Sequence, residues 1–255
     1  MISAVPIENL VNEPYASILC YPRAEPLEAE SRILELKELG IAALEFSGYG
    51  TVLIMPKMLP VLGKGFAGVV VVAYNGTEHL ALKMRRHDSN RDSFYHEAEM
   101  LQKANEAGVG PAFKAVTKNF LLSQLIDGGL LTTWLISHKK KTAVRRVVED
   151  ILEQCWRLDA AGINHGELSH ACRHILMDKK ENPYIVDFEA ASIRRGASNV
   201  TAVGQYLFVG NSATQKMIRE VLVEKDTNHF IDALKNYKKE RTRSRFEALL
   251  KLAGV

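Results

Sequence analysis

The chain has 255 residues, is 47% hydrophobic and 25% charged, and carries a net charge of +3, proportions of a folded globular chain with material for one large core or two modest ones. No apolar run approaches the ~20 residues of a membrane span, and MISAVPIENL has neither the basic region nor the apolar core expected of a secretory signal. Cys20, Cys155 and Cys172 are odd in number, widely spaced and without C-x-x-C, which argues against a disulfide framework or a cysteine zinc site and suits a reducing cytoplasm.

Residues 1–56 read as an N-terminal extension of helix plus hairpin. Helical periodicity over 27–39 ends at Gly40, and short strands are predicted at 43–46 and 51–55 around Ser47-Gly48-Tyr49-Gly50. The next stretch, LGKGFAGVVVVAYNGTEHLALK (62–83), carries most information. Gly63, Gly65 and Gly68 make a G-x-G-x-x-G pattern, but a β-branched run (Val69 to Val72), the turn pair Asn75-Gly76 and a second strand over 78–84 follow it. A dinucleotide fold places these glycines between a strand and a helix, so that pyrophosphate meets a helix N-terminus. Glycines on a hairpin instead suit a β-lid over nucleotide phosphates.

A helix is predicted over 91–106, with Phe94, Ala98 and Leu101 on one stripe, stopping at Gly108-Val109-Gly110-Pro111. Residues 112–116 and 119–123 read as another hairpin, after which Asp127-Gly128-Gly129 breaks the pattern. A long amphipathic helix over 142–161 ends at Gly162, two short strands follow at 175–177 and 184–186, and the chain from about residue 200 reads as helix. The expected division is 1–56, then a sheet-rich 57–126, then a helical 127–255. The last 25 residues hold seven basic and three acidic side chains. The reading is the solvated face of a terminal amphipathic helix, with a surface for RNA, tRNA or an acidic partner as the alternative.

The ordered motifs resemble the protein-kinase-like superfamily, in its small atypical branch near the RIO kinases, and are most similar to predicted archaeal serine/threonine protein kinases. The likeness runs from about residue 59 to 208. It implies an α+β, bilobal protein-kinase-like fold: an antiparallel β-sheet N-lobe with one helix and a reduced, mainly helical C-lobe. It also implies ATP with Mg²⁺ or Mn²⁺ as cofactors. Gly63, Lys64, Gly65 and Gly68 would cradle phosphate. The Ala81-Leu82-Lys83 strand would aim Lys83 at the α- and β-phosphates, with Glu97 of an E-x-x-x-L helix holding it. The backbone of Gln124 and Ile126 would meet the adenine edge, while Leu130 stands where an acidic ribose contact is usual.

In His165-Gly166-Glu167-Leu168, Glu167 replaces the aspartate that accepts the acceptor hydroxyl's proton. In Asp187-Phe188-Glu189, Asp187 would hold the metal, and Glu189 would add a ligand or fix the loop. The second metal-binding asparagine is missing; Cys172 falls at its spacing, and Arg173 or His174 precedes the following strand. His165, His170 and His174 (H-x4-H-x3-H) lack a further ligand set to complete a zinc site. The resemblance therefore implies catalytic Lys83, Glu167 and Asp187 in a phosphotransferase or ATPase acting on itself or a protein hydroxyl. The alternatives are an ATP-binding scaffold that regulates a protein partner, the reading favoured by the departures at Glu167, Glu189 and the asparagine, and a small-molecule kinase.

Overall fold

The run Val69-Val70-Val71-Val72 lies inside a seven-stranded antiparallel sheet in the computed structural model, which describes residues 4–210, 212–222 and 227–255. The chain divides into two compact units: Met1–Glu99 with Ala112–Leu125, and Met100–Pro111 with Ile126–Val255. Helices and antiparallel sheets together make this an α+β protein.

In the first unit, β1 (Val5–Pro6) is followed by a 3-10 turn, then α1 (Tyr15–Leu19), α2 (Pro26–Glu38), β2 (Ala43–Glu45), and the hairpin β3 (Gly50–Ile54) and β4 (Lys57–Val61). Next come β5 (Gly63–Lys64), β6 (Gly68–Tyr74), β7 (His79–Arg85), α3 (Tyr95–Glu106), whose residues from Met100 onward belong to the second unit, β8 (Phe113–Val116) and β9 (Phe120–Gln124). The main sheet has the order β1-β2-β6-β7-β9-β8, with β5 paired to β6. Asn75 closes the β6–β7 turn because its side-chain oxygen accepts from the amides of Thr77 and Glu78, and Gly76 takes φ +94°.

Helix α2 stops where the sequence placed its end: Gly40 is left-handed, and the amides of Gly40 and Ile41 turn back to the carbonyls of Lys37 and Leu36. Its buried face carries Ile33, Leu36 and the fully buried Arg32. Arg32 donates to the carbonyls of Leu19 (2.5 Å) and Arg85 (2.6 Å) and to Glu28 (2.5 Å), so one guanidinium ties α1, α2 and β7 together. Glu35 accepts from Thr117 and Asn119 in the β8–β9 turn.

Two expectations change here. Residues 43–46 and 51–55 do not form a hairpin with each other: β2 pairs with β1 and β6, whereas β3 pairs with β4. The extension shares one hydrophobic core with the sheet, in which Leu10, Ile33, Leu36 and Val52 pack with Val69, Val71, Leu80 and Leu82. Helix α3 starts at Tyr95 rather than 91, because the Phe94 amide is bonded to the Lys118 carbonyl.

The second unit contains β10 (Gly128–Leu130), α4 (Leu131–Ser137), α5 (Lys141–Ala160), a 3-10 segment Leu168–Arg173, β11 (Ile175–Asp178), β12 (Pro183–Ile185), α6 (Asn199–Phe208), α7 (Ala213–Leu222), α8 (Thr227–Lys239) and α9 (Arg243–Ala253). Helix α5 buries Val144, Val147, Val148, Ile151, Leu152, Cys155 and Leu158, and left-handed Gly162 follows it. Asp127-Gly128-Gly129 is not only a break, since Gly128–Leu130 pairs with Leu176–Asp178 in a three-stranded antiparallel sheet. The stretch after 200 is subdivided into helices, with Phe230, Leu234, Tyr237, Phe246 and Leu249 buried. Among the described residues, no helix is long and apolar enough to cross a membrane.

Gly128 is required by close approach: a Cβ there would lie 1.8 Å from the Met177 carbonyl oxygen. Gly128→Ala should cost at least about 2 kcal/mol in urea denaturation, by forcing β10 off β11. A change below about 0.5 kcal/mol, within the range of ordinary surface substitutions, would show that the pairing does not constrain this position.

Candidate functional site

Chemistry-bearing side chains gather in two places, one in each unit. In the first unit, Lys83 faces α3 from the middle of β7, with its Nζ 2.9 Å from both Oε1 and Oε2 of Glu97. Both residues are buried, at 9% and 6% exposure. Taking both charges out of water is costly, and a lysine with a carboxylate at this distance must be held in place to persist. The holding parts are visible. Phe94 lies 5.6 Å from Nζ by its ring centroid, and a Cβ on Gly68 would come within 2.8 Å of the Met84 carbonyl, 3.0 Å of the Lys83 Cγ and 3.1 Å of the Phe94 ring. Gly68 thus serves to let the lysine stem pass.

The other two glycines are open. An added Cβ would meet nothing within 4 Å at Gly63 and only the Gly68 carbonyl, at 3.8 Å, at Gly65. The loop closes on itself through the Gly65 amide and the Gly68 carbonyl (2.9 Å). It is braced from outside by Arg86, which donates to the Gly65 carbonyl at 3.1 Å, pairs with Asp88 and stacks on Tyr21. Lys64 also turns to Tyr21, donating to its hydroxyl at 2.7 Å, so this side chain is engaged outside the phosphate loop. Ala81 is partly buried on β7, opposite Val72 of β6 and Ser123 of β9. Gln124 ends β9 and accepts the Ala112 amide through its side chain, while Ile126 opens the second unit, its carbonyl taking the Gly128 amide.

In the second unit, Glu167, His174 and Asp187 converge: one ligand atom from each lies within 4.8 Å of the others. His174 sits between the carboxylates, Nε2 being 3.8 Å from Glu167 and Nδ1 3.8 Å from Asp187. These separations are too long for hydrogen bonds. A Glu189 carboxylate oxygen also lies within 4.8 Å of one from Asp187. Asp187 has φ +72°, a conformation uncommon outside glycine and often retained at functional positions. Gly166, at φ +90°, backs onto the Ala190 carbonyl, where a Cβ would come within 2.8 Å, so a bulkier residue there would displace Glu167. These oxygen donors suit a hard divalent cation, whereas the imidazole is a donor that Mg²⁺ does not seek.

The loop is fixed from beneath by a buried relay. His165 is fully buried, and burial pushes its imidazole down to about 4. It is therefore neutral, with Nε2–H donating to the Val186 carbonyl at 3.0 Å and Nδ1 bare. The His165 amide donates to the Asn199 side-chain oxygen (2.9 Å), and the Asn199 side-chain nitrogen donates to Asp159 (2.8 Å) and the Ile163 carbonyl (2.6 Å). Asp159 also accepts the Tyr237 hydroxyl at 3.0 Å; burial pushes its carboxyl up against the pull of these donors. Sequence reasoning missed Asp159 and Asn199. Asp159 carried a signal, since it lies four residues after Cys155 on the buried stripe of α5. It also missed His174 as a member of the cluster, a residue that is 8% exposed. His165 and His174 meet edge to face (ring centroids 5.5 Å apart), and exposed His170 is not part of this cluster.

The basic C-terminal stretch is partly used internally. Arg243 pairs with Glu153 (2.7 Å) and Glu247 (3.1 Å) and covers the Trp156 ring, while Arg245 pairs with Glu240 and Lys235 with Asp232.

No protein-family model matches the chain. It is similar to the uncharacterized protein MJ1211 of Methanocaldococcus jannaschii, with 36% identity over 118 residues, which is 46% of this chain and 98% of that protein. The chain belongs to the same family as this archaeal protein.

Asn199→Ala removes the acceptor for the His165 amide and the donor to Asp159 at once. It should cost about 2–4 kcal/mol in chemical denaturation, from buried polar groups left unsatisfied. A cost under about 0.5 kcal/mol would mean that the loop is held by other contacts.

Proposed function

We propose that this protein is an ATP-dependent phosphotransferase of the atypical serine/threonine protein kinase type, acting on itself or on a protein hydroxyl. The observation that carries the reading is the buried Lys83, clamped by both carboxylate oxygens of Glu97 at 2.9 Å. Such a pair is a weak contribution to stability and a strong local charge, held at fixed geometry where a polyphosphate can use it. The open space beside Gly63 and Gly65 leaves room for phosphate oxygens to approach the loop backbone closely. Adenine would be met by the backbone of Gln124 at the end of β9.

The second unit supplies the carboxylates. Glu167 accepts the proton of the acceptor hydroxyl as it attacks in line, and its placement is set by Gly166 and by the His165–Asn199–Asp159 relay. Asp187 and Glu189 would hold a divalent cation, which when bound neutralises charge on the transferring phosphate.

A nucleotide-binding scaffold is the second reading. It is favoured by His174, which stands 3.8 Å from both Glu167 and Asp187 and so competes for the two carboxylates that transfer requires.

Purified protein incubated with γ-labelled ATP and Mg²⁺ or Mn²⁺ should label itself or an added protein, or release phosphate. Lys83→Ala and Asp187→Ala should each lower that rate about 10²–10³-fold, the scale for removing one charged transition-state partner. ATP binding with no transfer under either metal would favour the scaffold. No ATP binding would overturn both readings.

A further inference from the structure

We infer that Glu167, His174 and Asp187 form a mixed nitrogen–oxygen site for a first-row transition divalent cation, such as Mn²⁺, Co²⁺ or Zn²⁺, in preference to Mg²⁺. The first ground is convergence: one carboxylate oxygen from each acid and one imidazole nitrogen lie within 4.8 Å of one another. The second is independent of that cluster and concerns His174 alone. The residue is 8% exposed, and its Nδ1 is wholly buried without a hydrogen bond. A buried imidazole nitrogen left so is unfavourable, and a metal ion would satisfy it. That nitrogen points at Asp187 from 3.8 Å, and the other ring nitrogen stands equally far from Glu167.

A separation of 3.8 Å is too long for a hydrogen bond and short enough for a bridging ion. Two metal–ligand bonds of about 2.1 Å span up to about 4.2 Å, so an ion can bridge His174 Nδ1 and Asp187 at their present separation. Donor chemistry then selects the ion. Mg²⁺ takes oxygen and keeps its waters, whereas imidazole with two carboxylates suits Mn²⁺, Co²⁺ or Zn²⁺. The histidine is fixed by its surroundings: its amide bonds to the Ala171 carbonyl, its own carbonyl accepts the Val186 amide, and the His165 ring packs against its edge. This ligand set describes the nucleotide-free protein and does not rest on the phosphotransferase reading, in which Glu167 is released from the ion to act as base.

The test uses the full chain without nucleotide and Mn²⁺ alone, followed by electron paramagnetic resonance, with Mg²⁺ as competitor. Wild type should bind Mn²⁺ and show ¹⁴N coupling in the spin-echo spectrum, a direct mark of imidazole ligation. His174→Asn should lose that coupling and bind Mn²⁺ at least about tenfold more weakly, with Mg²⁺ affinity unchanged and the circular dichroism spectrum native. Should the variant unfold, the wild-type ¹⁴N coupling still decides. Bound Mn²⁺ without ¹⁴N coupling, equal Mn²⁺ affinity in a folded His174→Asn, or no binding at about 1 mM Mn²⁺ would each overturn the site. Failure of ATP binding or transfer, measured separately, would remove the kinase reading and leave this result intact.

Discussion

The first unit is organised around the Lys83–Glu97 ion pair. Two charges at 9% and 6% exposure are expensive to desolvate, and apolar residues of similar size would stabilise the fold at least as well. The neighbours are arranged to make the pair possible. Gly68 leaves room for the lysine stem, and β7 carries Lys83 between β6 and β9. Phe94, held out of α3 by the Lys118 carbonyl, places its ring beside the ammonium. Residues 4–56 bear on the same sheet from its other end, through β2 on β6 and through Arg32 on the last residue of β7. The extension is thus part of what keeps the lysine strand in register.

The second unit solves a different problem, that of holding several acids together on irregular backbone. Its answer is a buried polar relay from Asp159 through Asn199 to the amide of His165, with every step between 2.8 and 2.9 Å. Tyr237 of α8 completes the acceptor side of Asp159, so the C-terminal helices stabilise the loop that carries Glu167. Part of the basic charge of that terminus is committed to Glu153, Glu240 and Glu247, which reduces what it offers to an RNA or acidic partner.

Local signals in the sequence carried the hairpins and helix ends. Asn75-Gly76, the β-branched run before it, and the glycines at 40 and 162 act over a few residues, and they produced β6, β7 and the ends of α2 and α5. Non-local pairings were not legible. The partner of β2 lies almost thirty residues away in β6, and nothing in Ala43–Glu45 distinguishes it from a strand turning back on Gly50–Ile54. Gly128–Leu130 has poor strand propensity and pairs only because its missing side chain admits the Met177 carbonyl. The site divided in the same way. The spacing of Lys83 and Glu97 is visible along one strand and one helix, whereas the burial of His174 between two carboxylates depends on the packing of a 3-10 segment against α6 and β11.

The central claim is that the buried Lys83–Glu97 pair exists to grip phosphate, and calorimetric titration of ATP against adenosine, in wild type and in Lys83→Met, tests it most directly. The account predicts that wild type binds ATP at least about tenfold more tightly than adenosine, and that a folded Lys83→Met loses most of this difference while keeping its adenosine affinity. Equal affinity for ATP in the folded variant, or no preference for ATP over adenosine in wild type, would contradict it.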